Sequence, residues 1–171
     1  MTKMALIQAA RKDFDNAIMI FSQVLRARRK ILGYNHPEVA KTLSNMACIH
    51  YECGGLLPAS KALEESIEIL RNISFAGAVS IQSALATVLS NFGFVLVKRR
   101  KFDDAARAYN EALSLRVRTA QADCQSISVT RENLAYSKSF FRTLEATPRQ
   151  DGALVDIAKM IEPYLDNMRC T

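Results

Sequence analysis

The side chains best suited to hold a metal ion or attack a substrate lie closest together at Cys48, His50 and Cys53. On one helix the positions i, i+2 and i+5 point in different directions, so they do not make a convergent ligand set. The other histidine, His36, stands beside Pro37 with no obvious catalytic partner. We therefore expect packing roles for these residues, with no metal and no cofactor.

Motifs that cradle phosphate or expose a nucleophile are missing from the sequence. There is no Gly-x-Gly-x-x-Gly, no Gly-Lys-Ser/Thr and no Gly-x-Ser-x-Gly. Enzymatic activity needs positioned acids, bases or nucleophiles, and no such constellation stands out. We predict that the protein is not an enzyme.

Two basic runs, residues 26–30 and 98–101, raise the alternative of a polyanion-binding or nucleic-acid-binding protein. The formal net charge of +6 permits acidic partners without amounting to a nucleic-acid footprint. Both runs lie at predicted C-terminal turns of helices, where cations offset the negative end of the helix dipole. This structural interpretation is favoured, and the polyanion function is kept as the alternative.

Composition indicates a single helical domain. The 171 residues are 49% hydrophobic and 23% charged, with only six Gly and four Pro. The N-terminus lacks a signal-peptide pattern, and the longest apolar run, residues 92–97, is far shorter than a membrane span. We expect a cytoplasmic chain with no membrane partner and four free cysteine thiols.

Internal sequence repeats indicate how the helices are arranged along the chain. Asn45-Met46-Ala47 recurs as Asn91-Phe92-Gly93 and as Asn133-Leu134-Ala135, with a weaker copy at Lys3-Met4-Ala5, at spacings of 42, 46 and 42 residues. A second sequence feature, an alanine, recurs at the same spacings. Ala17, Ala59 and Ala105 are each preceded by an apolar residue three positions earlier. Each unit is predicted to hold two helices, the first ending near Arg11, Cys53 or Arg99 and the second beginning at Phe14, Leu56 or Phe102.

The segment Gly33 to Ala47, which reads GYNHPEVAKTLSNMA, resembles the inter-repeat loop and first helix of tetratricopeptide repeats of the kinesin light chain type. Gly33 suits a helix end, Asn35 or His36 a cap, and Pro37 a first helical turn. The resemblance implies an all-α, right-handed superhelix of about eight helices in one domain, residues 1–171. Its repeats are expected at 1–33 (partial), 36–72 and 77–118, with a divergent fourth and a C-terminal capping helix over 125–168.

The resemblance also implies that the first helices line a concave groove that binds an extended, possibly acidic peptide or protein partner. Carried over residue by residue, the groove positions are Lys41, Ser44, Asn45, Cys48, Tyr51, Glu52, Thr87, Ser90, Asn91, Phe94, Val97, Lys98, Glu132, Asn133, Tyr136 and Phe140. The three asparagines form a row able to bond peptide main chain, and aromatic neighbours would supply pockets. The alternative is that these amides cap or bridge adjacent repeats.

The N-terminal end carries a further expectation. Repeat one begins in the middle of its first helix, which would leave Ile18, Phe21 and Leu25 partly uncovered. We therefore expect either a longer repeat array or self-association through this end.

Overall fold

The computed structural model describes residues 2–74, 78–119 and 124–146, and in these ranges every regular element is an α-helix. The seven helices are α1 (Thr2–Ala10), α2 (Phe14–Leu32), α3 (Pro37–Glu52), α4 (Leu56–Ser74), α5 (Val79–Lys98), α6 (Phe102–Thr119) and α7 (Cys124–Ala146). The predicted starts at Phe14, Leu56 and Phe102 are confirmed. The capping helix expected after residue 150 lies outside the described residues.

A left-handed residue closes the first helix of each pair, namely Lys12 (φ 62°), Gly54 (φ 80°) and Arg100 (φ 59°). In all three turns the next residue's amide donates to a carbonyl five positions back, as in Gly55 N to His50 O at 2.7 Å. This is the Schellman motif, which provides hydrogen-bond donors for the carbonyls at the helix end. It reverses the chain direction, so the second helix of the pair packs against the first.

Helix α3 begins as its sequence predicts. The Nδ1 atom of His36 accepts a hydrogen bond from the Glu38 amide at 3.1 Å, and Pro37 occupies the first turn. Proline costs nothing there because its missing N–H has no intrahelical acceptor. Of the two cap candidates, His36 is therefore the one used.

Packing follows the chain, since each helix makes its main contacts with the helices before and after it. The alanines expected at close helix crossings, Ala17, Ala59 and Ala105, are completely buried. Gly93 makes the tightest approach, because a Cβ atom there would lie 2.9 Å from the Tyr109 ring. These small residues let the axes approach, and stacking of the pairs builds the superhelix.

The prediction that Ile18, Phe21 and Leu25 are partly uncovered is wrong for two of these three residues. Phe21 and Leu25 are buried and only Ile18 is half-buried. The reason is that α1, although only nine residues long, packs Ala5, Leu6 and Ala9 against the same core.

Helix α5 is the one described helix whose length and apolar composition would allow it to cross a membrane. Half of its most apolar stretch is buried within the protein, where α5 packs on α4 and α6. That burial is what a central core helix requires.

Candidate functional site

The candidate site is the surface formed by the first helices of successive pairs, called here the concave groove and made of α3, α5 and α7. Helix α3 contacts α5 and α5 contacts α7, in addition to the contacts within each pair. The second helices thus stand behind them, and the predicted site residues fall on one row of neighbouring helices.

A cleft of about 520 Å³ opens between α3 and α5 and is called the α3/α5 cleft. Three predicted site residues, Lys41, Ser44 and Thr87, line it together. The other lining residues are Glu38, Ser80, Ser83 and five apolar residues, namely Pro37, Leu70, Ile81, Ala84 and Val88. The cleft therefore combines one lysine, one glutamate and several hydroxyl groups with apolar walls. The Glu38 carboxylate is paired with Arg28 at 2.7 Å.

Ser44 carries the least satisfied polar group of this cleft. The residue is 1% exposed, and its Oγ atom has no hydrogen-bond partner within the described part of the chain. A buried hydroxyl without a partner costs about 1–3 kcal/mol. The Ser44 hydroxyl is thus an unused hydrogen-bonding group at the floor of the cleft, and an entering polar atom reaches it only if the surrounding side chains shift.

An aromatic cluster lies at the other end of the groove. The rings of Tyr51 and Phe94 meet edge to face with centroids 5.0 Å apart, and Lys98 Nζ lies 5.8 Å from the Phe94 centroid. Tyr136 on α7 packs against the same core, and burial raises the pKa of its hydroxyl to about 12. Lys98 therefore places a cation beside a partly exposed apolar surface.

The predicted row of asparagines lies deeper than expected. Asn45 is 1% and Asn91 4% exposed, and Asn133 alone is half-buried. Cys48 is also buried, whereas Lys41 is exposed. The amides consequently form the floor of the groove rather than its rim, and the side chain of Phe140 lies outside the described part.

The basic runs are partly used inside the protein. Arg28 bonds Glu38 Oε2 at 2.7 Å, the Glu38 carbonyl at 3.0 Å and Thr42 Oγ1 at 2.5 Å. Arg29 pairs with Glu65, and Arg99 donates to Ser60 Oγ at 2.6 Å. These guanidinium groups fasten neighbouring helices together and are not available to a polyanion.

Sequence reasoning missed that one of these fastenings recurs. Arg116 bonds the Ser126 carbonyl and Thr130 Oγ1, as Arg28 bonds the Glu38 carbonyl and Thr42. In both cases the arginine precedes the threonine by fourteen residues, a spacing that is visible in the sequence. We call these two sets of bonds the Arg–Thr staples.

The Cys48, His50 and Cys53 segment does not converge on a common point in the part of the chain that is described, where no three metal-ligating side chains cluster. Cys48 is buried, and the exposed Cys53 thiol donates to the His50 carbonyl at 3.2 Å. Burial lowers the pKa of His50 because desolvation disfavours its charged form.

Models of the tetratricopeptide repeat match residues 1–72 and 85–123. The chain belongs to the tetratricopeptide repeat family, as the resemblance of residues 33–47 implied. The solved structure of BtubC (BKLC) from P. vanneervenii is similar with a TM-score of 0.69 and 20% identity, over 96% of this chain and 62% of that one. The chain thus spans less than two thirds of that protein. A comparison with curated protein sequences gives no match.

This family membership defines the class of protein. Tetratricopeptide repeats indicate a protein-interaction scaffold. The similarity to BtubC supports the superhelical fold that the resemblance implied.

Proposed function

We propose that the protein is a non-catalytic cytoplasmic adaptor whose concave groove binds an extended acidic segment of a partner protein. The observation that carries this proposal is the buried, unsatisfied Ser44 hydroxyl in the α3/α5 cleft, next to Lys41. A carboxylate entering the cleft accepts a hydrogen bond from Ser44 and pairs with the lysine. Charge-assisted bonds of this kind are roughly twice as strong as neutral ones.

The shape of the cleft favours a side chain over a free ion. Its walls at Leu70, Ile81 and Val88 are apolar, so they contact the methylene stem of a glutamate or aspartate while the carboxylate reaches the hydroxyl. The cleft opens onto the groove, which lets the rest of an extended peptide continue along the surface.

A second contact is proposed at the aromatic cluster. Thr87, in the cleft, and Lys98 are eleven residues apart on α5, a rise of about 16 Å. An extended peptide advances about 3.3 Å per residue and spans this distance in about five residues. The partner segment is therefore expected to carry an acidic residue at each end of such an interval.

The asparagines take a different part than the sequence suggested. Asn45, Asn91 and Ser44 are all almost fully buried, so the first contacts of a peptide fall to Lys41, Thr87 and Lys98, and Ser44 is reached only at the floor of the cleft. We assign the amides to the groove floor, where Asn133 is the most accessible of the three.

Selection from a library of extended peptides, followed by affinity measurements on the best binder, tests the proposal. Lys41→Gln and Ser44→Ala each remove a bond to a charged group, worth about 1.5–3 kcal/mol, so the dissociation constant should rise tenfold or more. Lys61→Gln is the matched control, because Lys61 is an exposed lysine on α4, outside the groove. Equal affinities for all four proteins would contradict the proposal.

The polyanion alternative makes the opposite forecast. Its remaining exposed cations include Arg26 and Lys101, since Arg28, Arg29 and Arg99 are engaged within the protein. If it were correct, Arg26→Glu and Lys101→Glu would abolish binding, Ser44→Ala would leave it unchanged, and affinity would fall steeply with salt.

A further inference from the structure

The end of α2 and the loop after it project an apolar and basic surface, called here the basic knob and made of Arg26, Lys30, Ile31 and Tyr34. Ile31 is 78% exposed, more than any other large apolar residue described, and Tyr34 is 69% exposed. The guanidinium of Arg29 lies 5.4 Å from the Tyr34 ring centroid, so the ring is held in place while it remains open to solvent. Arg26 and Lys30 are exposed beside it.

A cavity of about 520 Å³ on the other side of the molecule from the concave groove lies between α4 and α6 and is called the acidic groove. Its floor includes Ile67, Leu89 and the half-buried ring of Phe92. Its rims carry four carboxylates and two guanidinium groups, so the lining has a local charge of minus two in a chain of net charge +6.

The charged residues of the acidic groove differ in whether they form ion pairs within the described residues. Arg71 and Glu111 join α4 to α6 at 2.6 Å, and Arg107 pairs with its own helix neighbours Asp103 and Asp104. Glu64 accepts a hydrogen bond from Ser60 at 3.0 Å, and within the described residues neither Glu64 nor Glu68 forms an ion pair. These glutamates, one helical turn apart, are the charges that the acidic groove offers to an incoming cation.

We propose that the occupant of the acidic groove is the basic knob of a second copy of this chain. Ile31 covers the exposed edge of Phe92, while Arg26 and Lys30 pair with Glu64 and Glu68. The chain itself thus supplies both an apolar and a charge match, and the concave groove stays free for a partner. Knob and groove are different surfaces, so each copy can hold two neighbours at once. The proposed contact is heterologous, and it adds copies in an open chain unless its rotation closes a ring.

Sedimentation equilibrium at low salt, over rising protein concentration, tests the proposal. The average mass should grow past that of a dimer and fall again when salt is added, since the charges lie at the surface. Lys30→Glu, Ile31→Ser and Glu68→Lys should each reduce the association at least tenfold. Lys138→Glu is the control, because it changes net charge by the same amount as Lys30→Glu at an exposed site on α7.

Mixing the two charge-reversed proteins gives the sharpest outcome. The knob of the Lys30→Glu protein matches the groove of the Glu68→Lys protein, and the unchanged knob of the Glu68→Lys protein matches the unchanged groove of the Lys30→Glu protein. Each variant alone brings like charges together and should associate weakly, whereas the mixture should regain association beyond a dimer, with the two proteins alternating. A monomeric parent at all concentrations, a parent that stops at a dimer, or a mixture that stays monomeric would each overturn the proposal.

Discussion

Arg100 occupies a backbone position that glycine fills in the preceding pair of helices. Its φ of 59° corresponds to φ 80° at Gly54, and both residues end a helix in the same way. Side chains other than glycine are strained there by about 1–2 kcal/mol. The sequence shows the exchange of Gly for Arg, and the structure shows that the turn keeps its shape despite it.

Arg100→Gly should therefore raise the free energy of unfolding by about 1 kcal/mol. For a chain of this size that corresponds to an increase of about 2–4 °C in melting temperature. Arg100→Ala is the control, because it removes the side chain but retains the strained Cβ. An equal gain for both variants in calorimetry would show that the strain is not the cause.

Gly93 and Tyr109 form a pair that depends on the absence of a single atom. The Cβ of an alanine at Gly93 would lie 2.9 Å from the fully buried Tyr109 ring. Gly93→Ala should lower stability by about 1–3 kcal/mol through overpacking.

The preceding repeat shows how this loss can be reversed, because Ala47 occupies the equivalent position and Leu63 stands where Tyr109 does. Adding Tyr109→Leu to Gly93→Ala should regain part of the stability in chemical denaturation. If Gly93→Ala unfolds at the same denaturant concentration as the parent, the two residues are not in the contact described.

Individual helices are held in place by arginines whose bonds to the following helix were not predicted from the sequence. The sequence indicated charge compensation at helix ends, because a basic run near a C-terminus is explained by the helix dipole alone. In the structure these arginines make tertiary contacts instead. The side chains of Arg28 and Arg116 donate hydrogen bonds to the buried hydroxyls of Thr42 and Thr130 on the following helix. The equivalent pair at the middle junction is Leu70 and Val88, both buried and apolar.

Removing an Arg–Thr staple should loosen the helices it joins. Arg28→Ala and Arg116→Ala are each expected to lower the free energy of unfolding by about 1.5–3 kcal/mol, as for a hydrogen bond from a charged donor. Arg26→Ala, in the same basic run but exposed, should change it by less than about 0.5 kcal/mol. Thermal denaturation of the three variants separates a staple from a surface charge, and equal losses would contradict the assignment.

The crossing of α5 and α6 gives a test of the repeat register. Ala105 is completely buried, so Ala105→Leu should force the helices apart and cost about 1–3 kcal/mol. Ser114→Leu, at an exposed position on the same helix, also enlarges the side chain but places the added atoms in solvent, so it does not carry that cost. A melting temperature for Ala105→Leu equal to that of the parent would mean that the register is wrong.

At the scale of the whole molecule, the fold was predictable because the same pattern of small and apolar residues recurs in each repeat. The alanines at 17, 59 and 105 and the helix starts at 14, 56 and 102 follow from local periodicity and short turns. The site was predictable only as a row of helices. Whether Asn45 lies on the rim or the floor depends on how far each helix rotates in packing, and one sequence does not contain that angle.

Backbone amide NMR shifts with a library-selected peptide show directly whether an acidic peptide lies along the concave groove. We expect the largest shift changes on α3 and α5, around Lys41, Ser44, Thr87 and Lys98, and we expect Ser44→Ala to remove those nearest the cleft. Changes confined to α4 and α6, or to the basic residues 26–30, would contradict this expectation.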